Sequence, residues 1–204
     1  MRALTRIAAA IVAVLLLLPI SDVAAQAGEW QAVEHVKTYR IAGRTGIDLY
    51  ASIGARGPLA GKGRRVIAHT AFKLTWTRDY QRRDGGCVLA SARPHLVITT
   101  TLPKPAEALP TVTQAAWDRF IAGVSAHERV HGVQIKAMVE QIEAASIGLS
   151  VAGDADCSKV RAALTKRLAA LSAEQRRQSR DFDLTEMRDG GTIQQLVLAL
   201  VNGG

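Results

Sequence analysis

Apolar and polar side chains alternate along residues 66–77. Ala68, Thr70, Phe72, Leu74 and Trp76 fall on one side, and His69, Ala71, Lys73, Thr75 and Thr77 on the other. A period of two is that of a half-buried β-strand. Asp84-Gly85-Gly86 then signals a turn, and Cys87 to Leu102 reads as another strand or pair of strands. Arg93-Pro94 within that run predicts an edge position or a break, because proline cannot donate to a ladder. Val36 to Ala42 is a short mixed run, and the glycine-rich stretch from Ile53 to Gly63 reads as loop. After Pro103, Pro105 and Pro110 the period changes. Trp117, Phe120, Val124, His127, His131, Ile135, Met138 and Ile142 recur at helical steps of three or four. This predicts one long helix, with Thr113 as its N-cap and Ala116 to Ser146 behind it. A loop with Gly148 and Gly153 separates it from a second long helix, Ser158 to Met187, whose stripe is Val160, Leu164, Leu168 and Leu171. Gly190-Gly191 breaks that helix, and Ile193 to Val201 reads as a short amphipathic one. The expected fold is therefore α+β: a small antiparallel sheet packed on a long antiparallel helical hairpin.

The N-terminus follows different rules. Arg2 and Arg6 precede an unbroken apolar run, Ile7 to Ile20, and small residues surround Ala25 and Ala27. This is the layout of a secretory signal peptide over residues 1–27, which leaves a single domain over 28–204. The run is shorter than the ~20 residues of a comfortable membrane span, so no transmembrane anchor is expected after cleavage. Export implies a periplasmic or secreted protein in an oxidising compartment. There, Cys87 and Cys157 are expected to form a structural disulfide joining the β half to the helical half. Zinc ligation by the two cysteines is the competing reading, but they lack close C-x-x-C spacing. The formal net charge of +8 is spread over scattered Arg and Lys pairs. With only 4% aromatic residues and no recognition motif, nucleic acid is not an expected partner.

Residues 127–131 read His-Glu-Arg-Val-His, an H-E-x-x-H pattern inside the predicted long helix. Residues four apart on a helix lie one above the other, about 6 Å along the axis, so both imidazoles can converge on one metal ion. Zinc accepts imidazole nitrogen and keeps an open position in catalytic sites. Glu128, next to the first ligand, is placed to act as general base on water there. The alternative makes the histidines satisfied core residues. Both fall on the inward stripe, where two imidazoles without partner or metal would be costly to bury.

These segments resemble the DUF922 family, described as predicted secreted zinc-dependent proteases. The resemblance is carried by residues 68–76, the Cys87 strand ending in Leu102-Pro103, residues 126–132 and residues 180–187. It implies His127 and His131 as ligands and Glu128 as general base. The third ligand is left open. Gln134 and Ala137 stand where a metzincin would continue its motif, so that subclass is excluded. Glu140 and Glu143 lie too far down the same helix. Mirroring the hairpin about its loop puts Glu174 near the level of His131. The acidic cluster Asp181, Asp183, Glu186, Asp189 lies farther along beside Phe182, and Asp183 is the favoured third ligand with Glu186 its rival. Salt bridges on a wet face are the competing use of those carboxylates. His69 and His95 lack motif spacing and read as surface histidines, although either could ligate a metal or polarise a substrate carbonyl.

The expected function is that of an exported zinc metallopeptidase with a zincin-like helix, acting on a peptide, a protein or a cell-wall peptide. The alternative is a non-catalytic envelope binding protein with a structural metal site or none.

Overall fold

The structure, a computed structural model, describes residues 30–203 except residue 62. The expected signal segment, residues 1–27, lies outside the described residues. The elements are β1 (Val33–Ile41), α1 (Gly46–Arg56), β2 (Leu59–Ala60), β3 (Arg64–Arg65), β4 (His69–Arg83), β5 (Gly86–Pro105), α2 (Thr111–Ser146), β6 (Ser150–Val151), α3 (Ser158–Met187) and α4 (Thr192–Asn202). The α+β class and the long antiparallel pair of helices are as expected. Among the described residues no helix is long and apolar enough to cross a membrane.

The sheet is mixed rather than purely antiparallel, which corrects the expected topology. β4 and β5 form a long hairpin through Asp84-Gly85, both of which adopt the left-handed backbone that the tight turn requires. β1 then joins the other edge of β5 in parallel, with Val33 opposite Val97 and Ile41 opposite Pro105. Everything from Ala42 to Gly85 connects these two strands, and so long a connection permits the parallel direction. β1 had no alternation to betray it, because most of its residues are exposed. β5 runs unbroken through Pro94. That residue lies where β5 pairs with β4 alone, before β1 begins at Val97, so one side of the strand there is locally an edge.

The stretch read as loop, Ile53 to Gly63, begins inside the end of a helix. α1 occupies Gly46–Arg56 and buries Leu49 and Ile53. A reciprocal capping box starts it: Thr45 Oγ1 accepts from the Asp48 N–H, and the Asp48 carboxylate accepts from the Thr45 N–H. Gly46 allows the first turn to press on α4, where a Cβ would lie 1.8 Å from the Leu200 carbonyl oxygen. Beyond it β2 and β3 form a two-residue antiparallel hairpin. Thr113 is a buried residue inside α2, not its cap; the helix starts after Pro110 with no side-chain cap.

α2 is the spine of the molecule. Its first half packs Trp117, Phe120 and Val124 against Leu49 and Ile53 of α1 and Ile193 and Leu200 of α4. Its second half lays Ile135, Met138, Val139 and Ile142 over Leu96 and Ile98 of β5. A third cluster joins Leu89 and Ala92 of β5 to Val160 and Leu164 of α3, and the Cys87–Cys157 disulfide crosses it. The disulfide is thus as expected, and among the described residues no cysteine is free to ligate a metal.

Candidate metal centre

Between its two apolar packing regions α2 carries a short polar interval. Val124 belongs to one core and Ile135 to the other, and His127, Glu128 and His131 lie between them. His127 and Glu128 are buried, and His131 is half-buried. Helical geometry stacks the two imidazoles, and their Nε2 atoms lie 3.1 Å apart. α3 returns alongside and brings Asp183 Oδ1 to 3.2 Å from His127 Nε2 and 2.9 Å from His131 Nε2. These three side chains form a group whose ligand atoms can share one ion.

The fit can be checked from bond lengths. A tetrahedral ion with ligand bonds of about 2.0–2.1 Å spaces adjacent ligand atoms about 3.3 Å apart. The three observed separations lie close to that value. The donors are two imidazole nitrogens and one carboxylate oxygen, a set suited to zinc and to other first-row metals. Asp183 is pulled in opposite directions: burial raises its pKa, but the hydrogen bonds and positive charge of the two histidines hold it well below the usual carboxylate range. Burial lowers the pKa of His131, but the Asp183 hydrogen bond and charge, with the Glu128 charge, leave it above the usual imidazole value.

Glu186, the rival ligand, has a different position. Its Oε2 is 3.9 Å from His127 Nδ1, on the side of the ring away from the cluster. That Nδ1 is buried and has no hydrogen-bond partner among the described residues. A carboxylate beside it favours the tautomer with its proton on Nδ1, which leaves the Nε2 lone pair aimed at the cluster. Phe182 fixes the rings sterically: it stacks on His127 at 4.6 Å and meets His131 edge-on at 5.5 Å.

Glu128 is held from the sheet. Thr70 Oγ1 donates to Glu128 Oε2 at 2.6 Å, and Thr100 Oγ1 lies 3.2 Å from Thr70 Oγ1. With the Thr70 proton committed to the carboxylate, Thr100 is the donor of the second bond. Sequence reasoning placed Thr70 on the same side of its strand as Phe72, Leu74 and Trp76 but gave it no role. A threonine in a strand carries no spacing signal.

The cluster opens into a cleft of about 590 Å³, lined among others by Glu128, His127, His131 and Asp183. His69 also lines it, so this histidine of the strand's polar side is at the site. His95 is not; it bonds the Thr77 hydroxyl on the exposed sheet surface. Glu174 is exposed and paired with Arg177, away from the cluster, against the mirrored register. Instead Ser179 bonds Gln134, and Arg167 bonds the Ala145 carbonyl at the end of α2. α3 therefore starts about nine residues, or about 13 Å of rise, beyond the end of α2. The strand-like path of residues 149–151 along β5 and the disulfide at Cys157 carry its first turn outward. Glu143 is buried in α2 and accepts the Trp30 indole N–H.

The profile of the DUF922 family, described as bacterial protein of unknown function, matches residues 36–191. The chain belongs to the DUF922 family. The match takes in the H-E-x-x-H helix, Thr70, Asp183 and Glu186, so the whole cluster belongs to this DUF922 domain. Comparison with curated proteins and with solved structures finds no match.

Proposed function

We propose that this DUF922 protein is an exported zinc-dependent hydrolase of amide bonds, a peptidase acting outside the cytoplasm. The observation that carries the reading is the convergence of His127 Nε2, His131 Nε2 and Asp183 Oδ1 on the wall of a cleft that Glu128 also lines. The Cys87–Cys157 disulfide supports an oxidising compartment, and hence a periplasmic or secreted location.

His127, His131 and Asp183 would hold the ion, and zinc bound there supplies Lewis acidity toward water and a substrate carbonyl. Glu128 takes the proton of the attacking water and returns it to the leaving amine. Its bond from Thr70 occupies one carboxylate oxygen and leaves the other for that transfer. His69 lines the same cleft and is a candidate on the strand to donate to the carbonyl oxygen as charge develops. The helix would then act as the active-site helix of a zincin-like hydrolase.

Metal analysis of purified protein tests the centre, with about one zinc per chain expected. Glu128→Gln is then expected to retain that zinc and to lower turnover of a casein or peptide-mixture substrate by about 100-fold or more. Full turnover in that variant would remove Glu128 from the chemistry. A protein that folds equally well without metal, and cleaves nothing when loaded, would be an envelope binding protein instead.

A further inference from the structure

Three large apolar side chains stand exposed around the mouth of the cleft. Phe72 on β4 is 42% exposed, and Leu184 and Met187 near the end of α3 are 70% and 48% exposed. Phe72 belongs to the same strand stripe as Leu74 and Trp76, which are half-buried in the cores, whereas Phe72 faces the open cleft. Leu184 directly follows Asp183, and Met187 follows Glu186. Apolar surface gathered from two elements at one opening is a feature of ligand-binding grooves.

Two basic side chains stand at the same opening. Arg64 of β3 and Arg188 at the end of α3 both line the cleft. Among the described residues neither guanidinium is paired with a carboxylate, although Arg177 farther up α3 holds two. The same cleft carries the carboxylates of Glu128, which is buried, and of Asp183, whose side chain is 51% exposed and adjoins Leu184. An extended ligand would therefore meet apolar walls and two free cations at the mouth.

We infer that the cleft binds a peptide segment in which a bulky apolar side chain is followed closely by a carboxylate. The apolar side chain lies against Phe72, Leu184 and Met187, and the carboxylate lies toward Arg64 and Arg188. The carboxylate comes from an acidic side chain or from the peptide's own C-terminus. This inference names the substrate class of the proposed hydrolase and rests on that reading for turnover, but binding can be tested without it.

The test is fluorescence anisotropy of labelled pentapeptides on zinc-loaded full-length Glu128→Gln protein. The probes carry Leu-Glu at their centre, the same with Ser-Glu, the same with Leu-Gln, and Leu at the C-terminus as free acid or as amide. The Leu-Glu peptide is expected to bind about tenfold tighter than the Ser-Glu one. Loss against Leu-Gln marks an acidic side chain as the preferred source, and loss between free acid and amide marks the chain end. In the same background, Leu184→Ser with Met187→Ser abolishes the apolar preference at unchanged Tm and zinc content. Arg64→Ala with Arg188→Ala abolishes the preference for the carboxylate. Equal binding of all probes, no binding up to about millimolar concentration, or preferences that survive these substitutions would overturn the inference. Selective binding by a chain whose wild type cleaves nothing would sink the hydrolase reading and keep the binding site. Turnover without selectivity would do the reverse.

Discussion

Thr70 gives the site a dependence on the sheet. Glu128 is a buried carboxylate, only 5% exposed, and such a group needs a donor. The Thr70 hydroxyl supplies one at 2.6 Å. Thr70→Val keeps the shape of the side chain and deletes the donor. A hydrogen bond to a charged acceptor contributes about 1.5–3 kcal/mol, so kcat is expected to fall roughly 10–100-fold. KM and zinc content should stay near wild type, and Thr70→Ser should recover most of the rate. A parallel loss of Tm and zinc in the valine variant would make Thr70 merely structural. The two acidic residues separate in the same manner. Asp183→Ala removes an oxygen that would ligate the proposed ion, whereas Glu186→Ala removes only the carboxylate beside His127 Nδ1. Competition with a chromophoric chelator should show the larger loss of zinc affinity for Asp183→Ala, and about 10–100-fold for Glu186→Ala. The sequence already carried His127, Glu128 and His131, because ligand spacing on a helix is a periodic signal. It narrowed the third partner to Asp183 or Glu186 but could not separate them, since three residues along α3 rotate one carboxylate toward the Nε2 atoms and the other toward Nδ1.

At the scale of elements, the long periodic segments were legible and the short or exposed ones were not. α3 spans Ser158–Met187 as its pattern predicts. α1 was hidden by its glycines at 46, 54 and 57; its signal was the Thr45–Asp48 capping box, which helps to offset the poor helix propensity of Gly54. β1 was hidden because few of its side chains are buried. The start of α3 shows how a local polar residue fixes an element. Cys157 at its N-cap position makes no side-chain cap bond. Asp154, 1% exposed, does that work from outside the helix: Oδ1 accepts the Lys159 N–H at 3.1 Å and Oδ2 the Val160 N–H at 2.8 Å. Asp154→Ala strands both donors beside a fully buried Val160. Urea denaturation should show a loss of about 2 kcal/mol, and Asp154→Asn a smaller one. The zinc content of the folded fraction should not change, because Asp183 lies more than six turns farther along α3.

For the whole molecule, the His127–His131–Asp183 cluster and the disulfide lie toward opposite ends of α3. α2 meets the first core before His127 and the second after His131, so the cluster sits at the joint between them. Asp183 reaches the joint only if α3 keeps its register on α2, and the Ser179–Gln134 and Arg167–Ala145 bonds hold that register along the pair, toward the far end. There Cys157, the Asp154 cap and the pairing of β6 with β5 fix where α3 begins. The bond closes a chain separation of 70 residues. Loop-closure entropy for that length corresponds to about 4 kcal/mol in the unfolded-chain account. Reduction, or a Cys87→Ala with Cys157→Ala pair, should therefore lower unfolding free energy by about 2–4 kcal/mol without displacing zinc from the protein that stays folded. The reason is distance: 26 residues of α3 separate Cys157 from Asp183, about 39 Å of helical rise, and the packing of Ile135, Met138 and Ile142 on β5 lies between them. Calorimetry with and without reductant, paired with zinc analysis of the folded fraction, reads both quantities. Release of zinc in step with reduction, at a temperature where the fold persists, would show that the disulfide itself sets the height of Asp183, and that the intervening core is too compliant to hold α3 in place alone.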